Sequence, residues 1–178
     1  LGQQVTVRAA TTLAGRLAAR LGRRVPDGPL GIALAFPSPQ TLADASLDGI
    51  GIPGARCESI RSVARAVAEG ALDLEAPDVE ARLREIRGIG PWTASYVAMR
   101  AQGDPDALPA EDVFLRRVAA PDDRPLTPRA LLARAERWRP FRSYATLLLY
   151  QSAAAPADTS PRSRRRETTR TLGRRAGI

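Results

Sequence analysis

Histidine, lysine and asparagine are absent from the 178 residues. Without histidine there is no zinc site of the histidine type and no Ser-His or Cys-His nucleophile system. Without lysine there is no side-chain amine to form a Schiff base. The single cysteine, Cys57, excludes an internal disulfide and any multi-cysteine metal or iron–sulfur site. Aromatics make up 4% of the chain, and no apolar run approaches the ~20 residues that span a bilayer. No secretory leader is read at the start. The chain opens on Leu1 rather than Met and is expected to be a fragment whose upstream part is missing.

All 27 basic residues are therefore Arg, set against 19 acidic residues for a formal net charge of +8. The all-arginine usage reads as genomic composition bias. The surplus is uneven, with arginines at 162, 164, 165, 166, 170, 174 and 175 against Asp158 and Glu167. Residues 156–178 are Ser/Thr/Arg-rich and poor in core residues, so a disordered basic tail is expected there. The rest is only mildly basic, and charge alone argues weakly for a nucleic-acid partner. A hydrophobic content of 44% is enough for a packed core, and the length suits one domain or two small ones.

Apolar residues recur at helical spacing almost throughout, so an all-α fold is expected. Val5, Ala9, Leu13, Leu17 and Leu21 predict a helix over 4–21. A Gly/Pro-rich loop follows over 22–39, then short helical turns at 40–45 and 47–50. Further helices are expected at 55–69, ended by Gly70, and at 79–86, capped by Asp78. The remaining segments are 92–101, 111–118, 128–138 with Thr127 as cap and Pro128 at the first position, and 141–154.

The most informative stretch is Leu83-Arg84-Glu85-Ile86-Arg87-Gly88-Ile89-Gly90-Pro91-Trp92-Thr93-Ala94, with Asp112 downstream. A polar helix runs into Gly-Ile-Gly and a second helix leaves at once. Glycines allow positive φ and leave backbone N–H groups bare, an arrangement that suits a phosphate oxygen. Read alone, the same glycines serve equally as helix caps in a tight αα-turn. Asp112 at a helix start is likewise either a cap or a functional carboxylate, with Glu111 as its neighbouring rival. A fixed carboxylate in a dry pocket stabilises positive charge growing on a sugar as its N-glycosidic bond breaks, and it can orient water.

Four motifs in order carry a resemblance: residues 2–7 (Gly-Gln-Gln-Val-Thr-Val), residues 87–96 (Arg-Gly-Ile-Gly-Pro-Trp-Thr-Ala-Ser-Tyr), residues 108–112 (Leu-Pro-Ala-Glu-Asp) and residues 137–145 (Arg-Trp-Arg-Pro-Phe-Arg-Ser-Tyr-Ala). Together they resemble the helix-hairpin-helix, Gly/Pro-rich, Asp superfamily of DNA glycosylases, in its 3-methyladenine DNA glycosylase II branch. The resemblance covers about residues 1–154. It implies two helical subdomains, 1–104 with the hairpin and 105–155 with the carboxylate, and a cleft between them. It implies Asp112 as the catalytic carboxylate, Trp92, Tyr96 and Tyr150 around the base pocket, and Gly88, Ile89, Gly90 and Thr93 on the DNA backbone. Gln4 stands at the wedge that fills the gap left by the extruded base.

In bifunctional members a Lys occupies the slot of Trp92, so here a lysine-mediated strand nick is unavailable and hydrolytic base removal remains. Electron-rich rings attract cationic purines such as 3-methyladenine and 7-methylguanine. At Tyr150 the family usually has Trp, which leaves substrate preference open. The resemblance further implies no required cofactor, a structural Na+ or K+ on the main-chain carbonyls of Arg84, Ile86 and Ile89, and duplex DNA with an alkylated base as partner. A monomer without membrane association, cytoplasmic and nucleoid-associated in a bacterial setting, is expected. Arg137, Arg139 and Arg142 either salt-bridge to Glu136 or reach phosphate, and Arg56 and Arg61 read as a solvated face. The alternative functions are a non-catalytic helix-hairpin-helix DNA-binding module and a helical interaction domain without a nucleic-acid role.

Overall fold

Capping residues mark out most of the helices. The computed structural model describes residues 1–3, 5–26, 31–122 and 124–154. Helix α1, Val7–Leu21, starts after Thr6, whose Oγ1 accepts the Ala9 amide at 3.2 Å. Thr6 is extended (φ −68°, ψ 156°), so the helix begins three residues later than the apolar spacing predicts. Leu13 and Leu17 point inward. Next come α2, Pro39–Asp44, capped by Ser38, and α3, Gly54–Ala68. Gly70 (φ +72°) follows α3 as expected.

Helix α4, Val79–Glu85, lacks the expected side-chain cap. The Asp78 carboxylate instead takes the Arg82 guanidinium at 2.7 Å, one turn along. Helix α5, Pro91–Val97, runs into a π-helical turn, Ala98–Gln102, closed by Gly103 (φ +75°). Helices α6, Val113–Val118, and α7, Pro128–Ala135, are capped by Asp112 and Thr127. A 3₁₀ turn, Glu136–Trp138, leads to α8, Arg142–Ala154.

The helical expectation holds, with one addition. Within the segment read as loop, Arg23–Arg24 (β1) pairs antiparallel with Leu34–Ala35 (β2). Two residues per strand are too few to leave an alternating pattern in sequence. The expected tail, 156–178, lies outside the described residues.

Four apolar clusters form the interior. Leu17, Leu47, Ile50 and Cys57 pack together near α1 and α3. Leu72, Val79, Leu83 and Ala94 join α4 to α5. Leu108, Leu115, Leu131 and Ala135 hold the C-terminal helices. Ala98, Met99 and Ala107 make a bridge that Tyr96 and Tyr150 cover from either side. Burying each large aliphatic side chain contributes about 1.5–3 kcal/mol, which makes these clusters the main source of stability.

The loop that delivers Asp112 is fastened to α8. Arg142 Nε donates to Asp106 Oδ1 at 2.7 Å and to the Asp106 carbonyl at 2.9 Å. Ser143 Oγ meets the Asp104 and Ala107 carbonyls at 2.6 and 2.9 Å. Arg139 bridges Asp106 and Glu136. Arg139 and Arg142 thus take the structural role of the two read from sequence, with Asp106 as an additional partner.

Candidate functional site

Chain geometry at the hairpin follows from two glycines. Ile89 N–H donates to the Ile86 carbonyl at 3.0 Å and closes the turn. Gly88 sits at φ +87°, where an L side chain is strained. A Cβ at Gly88 would lie 2.0 Å from Ser59 Oγ of α3, so side-chain bulk is excluded on a second ground. The Ser59 hydroxyl itself reaches the Arg87 carbonyl at 3.2 Å and braces the turn. Gly90 caps α5 without a side chain, and Pro91 occupies the first helical position.

This arrangement sorts the expected phosphate-facing groups. The amides of Gly88 and Gly90 donate to no partner among the described residues. The amide of Ile89 is already committed to Ile86, which removes it from that set. Thr93 Oγ1 accepts the Gln3 side-chain amide at 2.7 Å, leaving its own proton to donate outward. Gln3 also donates to the Gly88 carbonyl at 3.1 Å and accepts Arg56 Nη2 on its main-chain carbonyl at 2.7 Å. Arg56 had read as a solvated face, and Gln3 stood only within the 2–7 motif. Both are half-buried and tie the N-terminal segment and α3 to the hairpin. Arg61 pairs with Glu58 and also reaches the Ala45 carbonyl.

A cleft of about 680 Å³ opens beside the hairpin, bordered by Gln3, Arg56, Trp92, Thr93, Asp112 and Phe114. Asp112 is both the α6 cap and a carboxylate on the border of the cleft. Oδ1 accepts the Leu115 amide at 2.8 Å. Oδ2 accepts the Trp92 indole Nε1–H at 2.7 Å and the Tyr150 hydroxyl at 3.1 Å. The indole and the phenol converge on Asp112 rather than on Glu111, which is exposed.

Trp92 and Tyr96, one turn apart on α5, are stacked with centroids 5.1 Å apart and planes 17° from parallel. Trp92 lines the cleft, whereas Tyr96, stacked on it, and Tyr150, bonded to Asp112, are not among the lining residues. Burial foremost, then the Asp112 charge and the hydrogen bond to it, push the Tyr150 phenol well above its ordinary range. It therefore remains a donor across the physiological range.

Phe114 was not singled out from sequence. It is 46% exposed, lines the cleft and tilts onto Tyr150 with centroids 5.9 Å apart. Its position two residues after Asp112 was the available signal. The expected wedge, Gln4, lies outside the described residues. A second cavity of about 380 Å³ lies among Phe36, Ile60, Val63 and Val67, and no acidic side chain borders it.

Comparison with known proteins identifies the family. The family described as HhH-GPD superfamily base excision DNA repair protein matches residues 1–142. A Mycobacterium tuberculosis protein named probable bifunctional transcriptional activator/DNA repair enzyme AlkA is 40% identical over 165 residues, covering 90% of this chain and 33% of its own length. Escherichia coli DNA-3-methyladenine glycosylase 2 is 39% identical over 164 residues, covering 84% of this chain and 54% of its own. The chain thus spans about a third to a half of these curated relatives. A solved Bacillus halodurans DNA-3-methyladenine glycosidase superposes with a TM-score of 0.61 at 29% identity, covering 85% of this chain and 70% of that one. In fold alone, the chain also matches a fission-yeast 3-methyladenine DNA glycosylase, with a TM-score of 0.70 at 24% identity over 89% of this chain and 78% of that one. The chain belongs to the HhH-GPD superfamily of base excision DNA repair proteins.

Proposed function

We propose that the protein is a monofunctional DNA glycosylase that hydrolyses the N-glycosidic bond of alkylated purines in duplex DNA and leaves an abasic site. The observation that carries this reading is the convergence of Trp92 Nε1–H and Tyr150 OH on Asp112, at the border of a cleft that also holds the hairpin glycines. The name of the Escherichia coli relative supports the alkylated-base class through 3-methyladenine, and we take 7-methylguanine, also a cationic purine, as a second substrate.

Reaction follows from the groups present. The Gly88 and Gly90 amides and the Thr93 hydroxyl hold phosphate oxygens beside the lesion. The extruded base enters the cleft against Trp92, which is backed by Tyr96, and a cationic purine gains roughly 0.5–2 kcal/mol from that ring. The C1′–N bond breaks, its electron pair leaves with the base, and the alkylated purine departs neutral. Positive charge grows on the sugar and the Asp112 carboxylate offsets it. Water adds at C1′ and gives up its proton to bulk water. With no lysine in the chain, no Schiff base forms on a lysine and the strand is left intact.

The hairpin also fits a monovalent cation. The last carbonyls of α4 have no intrahelical donors, and the Ile86 carbonyl uses one of its two lone pairs on Ile89 N–H. Arg84, Ile86 and Ile89 would hold Na+ or K+ through main-chain oxygens. Such an ion would add positive charge behind the phosphate-facing amides.

Division into an N-terminal part to residue 104 and a C-terminal part from 105 is supported by the cores. Two clusters draw their members from residues 1–97 and one from residues 108–150. The Tyr96–Tyr150 bridge joins them. We take the working unit to be one copy of the chain on one duplex. Among the described residues no helix is long and apolar enough to cross a membrane. The working compartment we infer is the bacterial cytoplasm, at the nucleoid.

The test is base release from duplex DNA containing 7-methylguanine. Wild type is expected to release the base and leave an alkali-labile abasic site. Asp112→Asn keeps a capping side chain yet is expected to lose about 10²–10⁴ in rate. Equal release by both proteins would refute the assignment. Duplex binding without any release would favour the binding-module reading.

A further inference from the structure

A carboxylate offers about four lone-pair positions. On Asp112 three are filled: two on Oδ2 by the Trp92 indole and the Tyr150 hydroxyl, one on Oδ1 by the Leu115 amide. The free position is on Oδ1. We propose that Tyr150 is a positioning residue for Asp112: its hydroxyl and the Trp92 indole together occupy Oδ2, so that Oδ1 is the oxygen presented to the sugar of the extruded nucleotide. The proposal deepens the glycosylase reading and rests on it for its kinetic consequence.

Tyr150 is held for this task from several sides. It projects from α8 and packs on the bridge formed by Ala98, Met99 and Ala107. Phe114 covers its ring from the cleft side at 5.9 Å. Its raised phenol value keeps the proton in place, so it donates and never competes with Asp112 as an anion. The indole of Trp92 can only donate as well. Two permanent donors on one oxygen fix the plane of the carboxylate, while the Leu115 amide sets the other edge. A tyrosine reaches Asp112 through a terminal hydroxyl, whereas the tryptophan usual at this position in the family carries its N–H on the ring. An indole at position 150 would therefore also carry a donor.

The first test does not depend on activity. The chain has two tryptophans, Trp92 and Trp138, so two indole N–H signals are expected in a proton–nitrogen correlation spectrum. Asp112→Asn identifies the Trp92 signal by moving it. Tyr150→Phe is expected to shift that signal further downfield, because Oδ2 then serves the indole alone, and to leave Trp138 in place. An unchanged Trp92 signal in Tyr150→Phe would overturn the proposal.

The second test is single-turnover release of 7-methylguanine. Tyr150→Phe is expected to lose about tenfold in rate, the size of one hydrogen bond to a charged group, with unchanged affinity for an abasic-site duplex. Tyr150→Trp is expected to recover most of the loss. A Tyr150→Phe protein as fast as wild type, or one that loses only affinity, would show the ring to be a wall and would overturn the proposal. If wild type releases no base, the glycosylase reading fails by itself, and the indole shift decides whether Tyr150 holds Asp112.

Discussion

The Gln3 side-chain amide donates to the Thr93 hydroxyl at 2.7 Å, a contact between residues ninety positions apart. The same amide reaches the Gly88 carbonyl, and Arg56 grips the Gln3 main chain. One residue thus links the N-terminal segment to the hairpin and α5 through its side chain and to α3 through its main chain. Gln3→Ala removes two hydrogen bonds worth about 1 kcal/mol each. A loss of about 1–2 kcal/mol in urea unfolding and weaker duplex binding are expected. Gln3→Glu should bind duplex more weakly still, because a carboxylate cannot donate to the Gly88 carbonyl and repels phosphate. Equal affinity of Gln3→Glu and wild type in a filter-binding titration would contradict this placement.

Gly88→Ala meets two separate penalties. Its φ of +87° costs an L residue about 1–2 kcal/mol, and the new methyl overlaps Ser59 Oγ. The single variant is expected to lose at least about 2 kcal/mol. Adding Ser59→Gly relieves the overlap but not the backbone strain, so the pair should recover only part of the loss. Full additivity of the two changes in urea melts would show that Ser59 and Gly88 do not touch.

Alkaline stability should depend on Tyr150. Its phenol is pushed upward from the ordinary value of 10.0 in the folded protein. Above that pH the unfolded chain releases the proton while the folded chain keeps it. The unfolded state then binds fewer protons, and stability falls as pH rises. At neutral pH wild type is expected to melt higher than Tyr150→Phe, which lacks the hydrogen bond to Asp112. Between about pH 9 and 11 that gap in Tm should narrow. A gap that stays constant would argue against the raised value.

The Asp106 cluster predicts an asymmetry between two arginines. Arg142 has 13% of its side chain exposed and bonds both the carboxylate and the carbonyl of Asp106. Arg139 is 50% exposed. Arg142→Ala is expected to cost about 1–3 kcal/mol and Arg139→Ala under about 1 kcal/mol in thermal or urea melts. The reverse order would mean that the loop before Asp112 is held in another way.

Much of the site was legible because its signals are local. Glycines flanking an isoleucine, followed by Pro91, fix the turn and the next helix start with no long-range information. The choice at Asp112 between cap and working carboxylate was open in sequence; the structure shows the cap, made by Oδ1, on a side chain that also borders the cleft, so the two roles are compatible. What stayed hidden depends on tertiary placement. Tyr150 is 38 residues from Asp112, and its hydroxyl contact follows only from how α8 crosses α6. Phe114, a lone exposed aromatic, leaves no periodic trace. The Asp78 cap failed because Arg82, one turn on, offers a charged donor that competes for the same carboxylate. The β1–β2 pairing has two residues per strand, a single period of the alternation, so nothing recurs for the sequence to show.

The indole clasped to Asp112 gives the protein a built-in optical gauge. Trp92 sits in polar contact beside the cleft, while Trp138 packs in the C-terminal core, so their emission differs in environment. A cationic base lying on Trp92 would quench that fluorophore and spare the other. Occupancy of the cleft can then be followed by fluorescence in unlabelled protein, separately from the chemistry that follows.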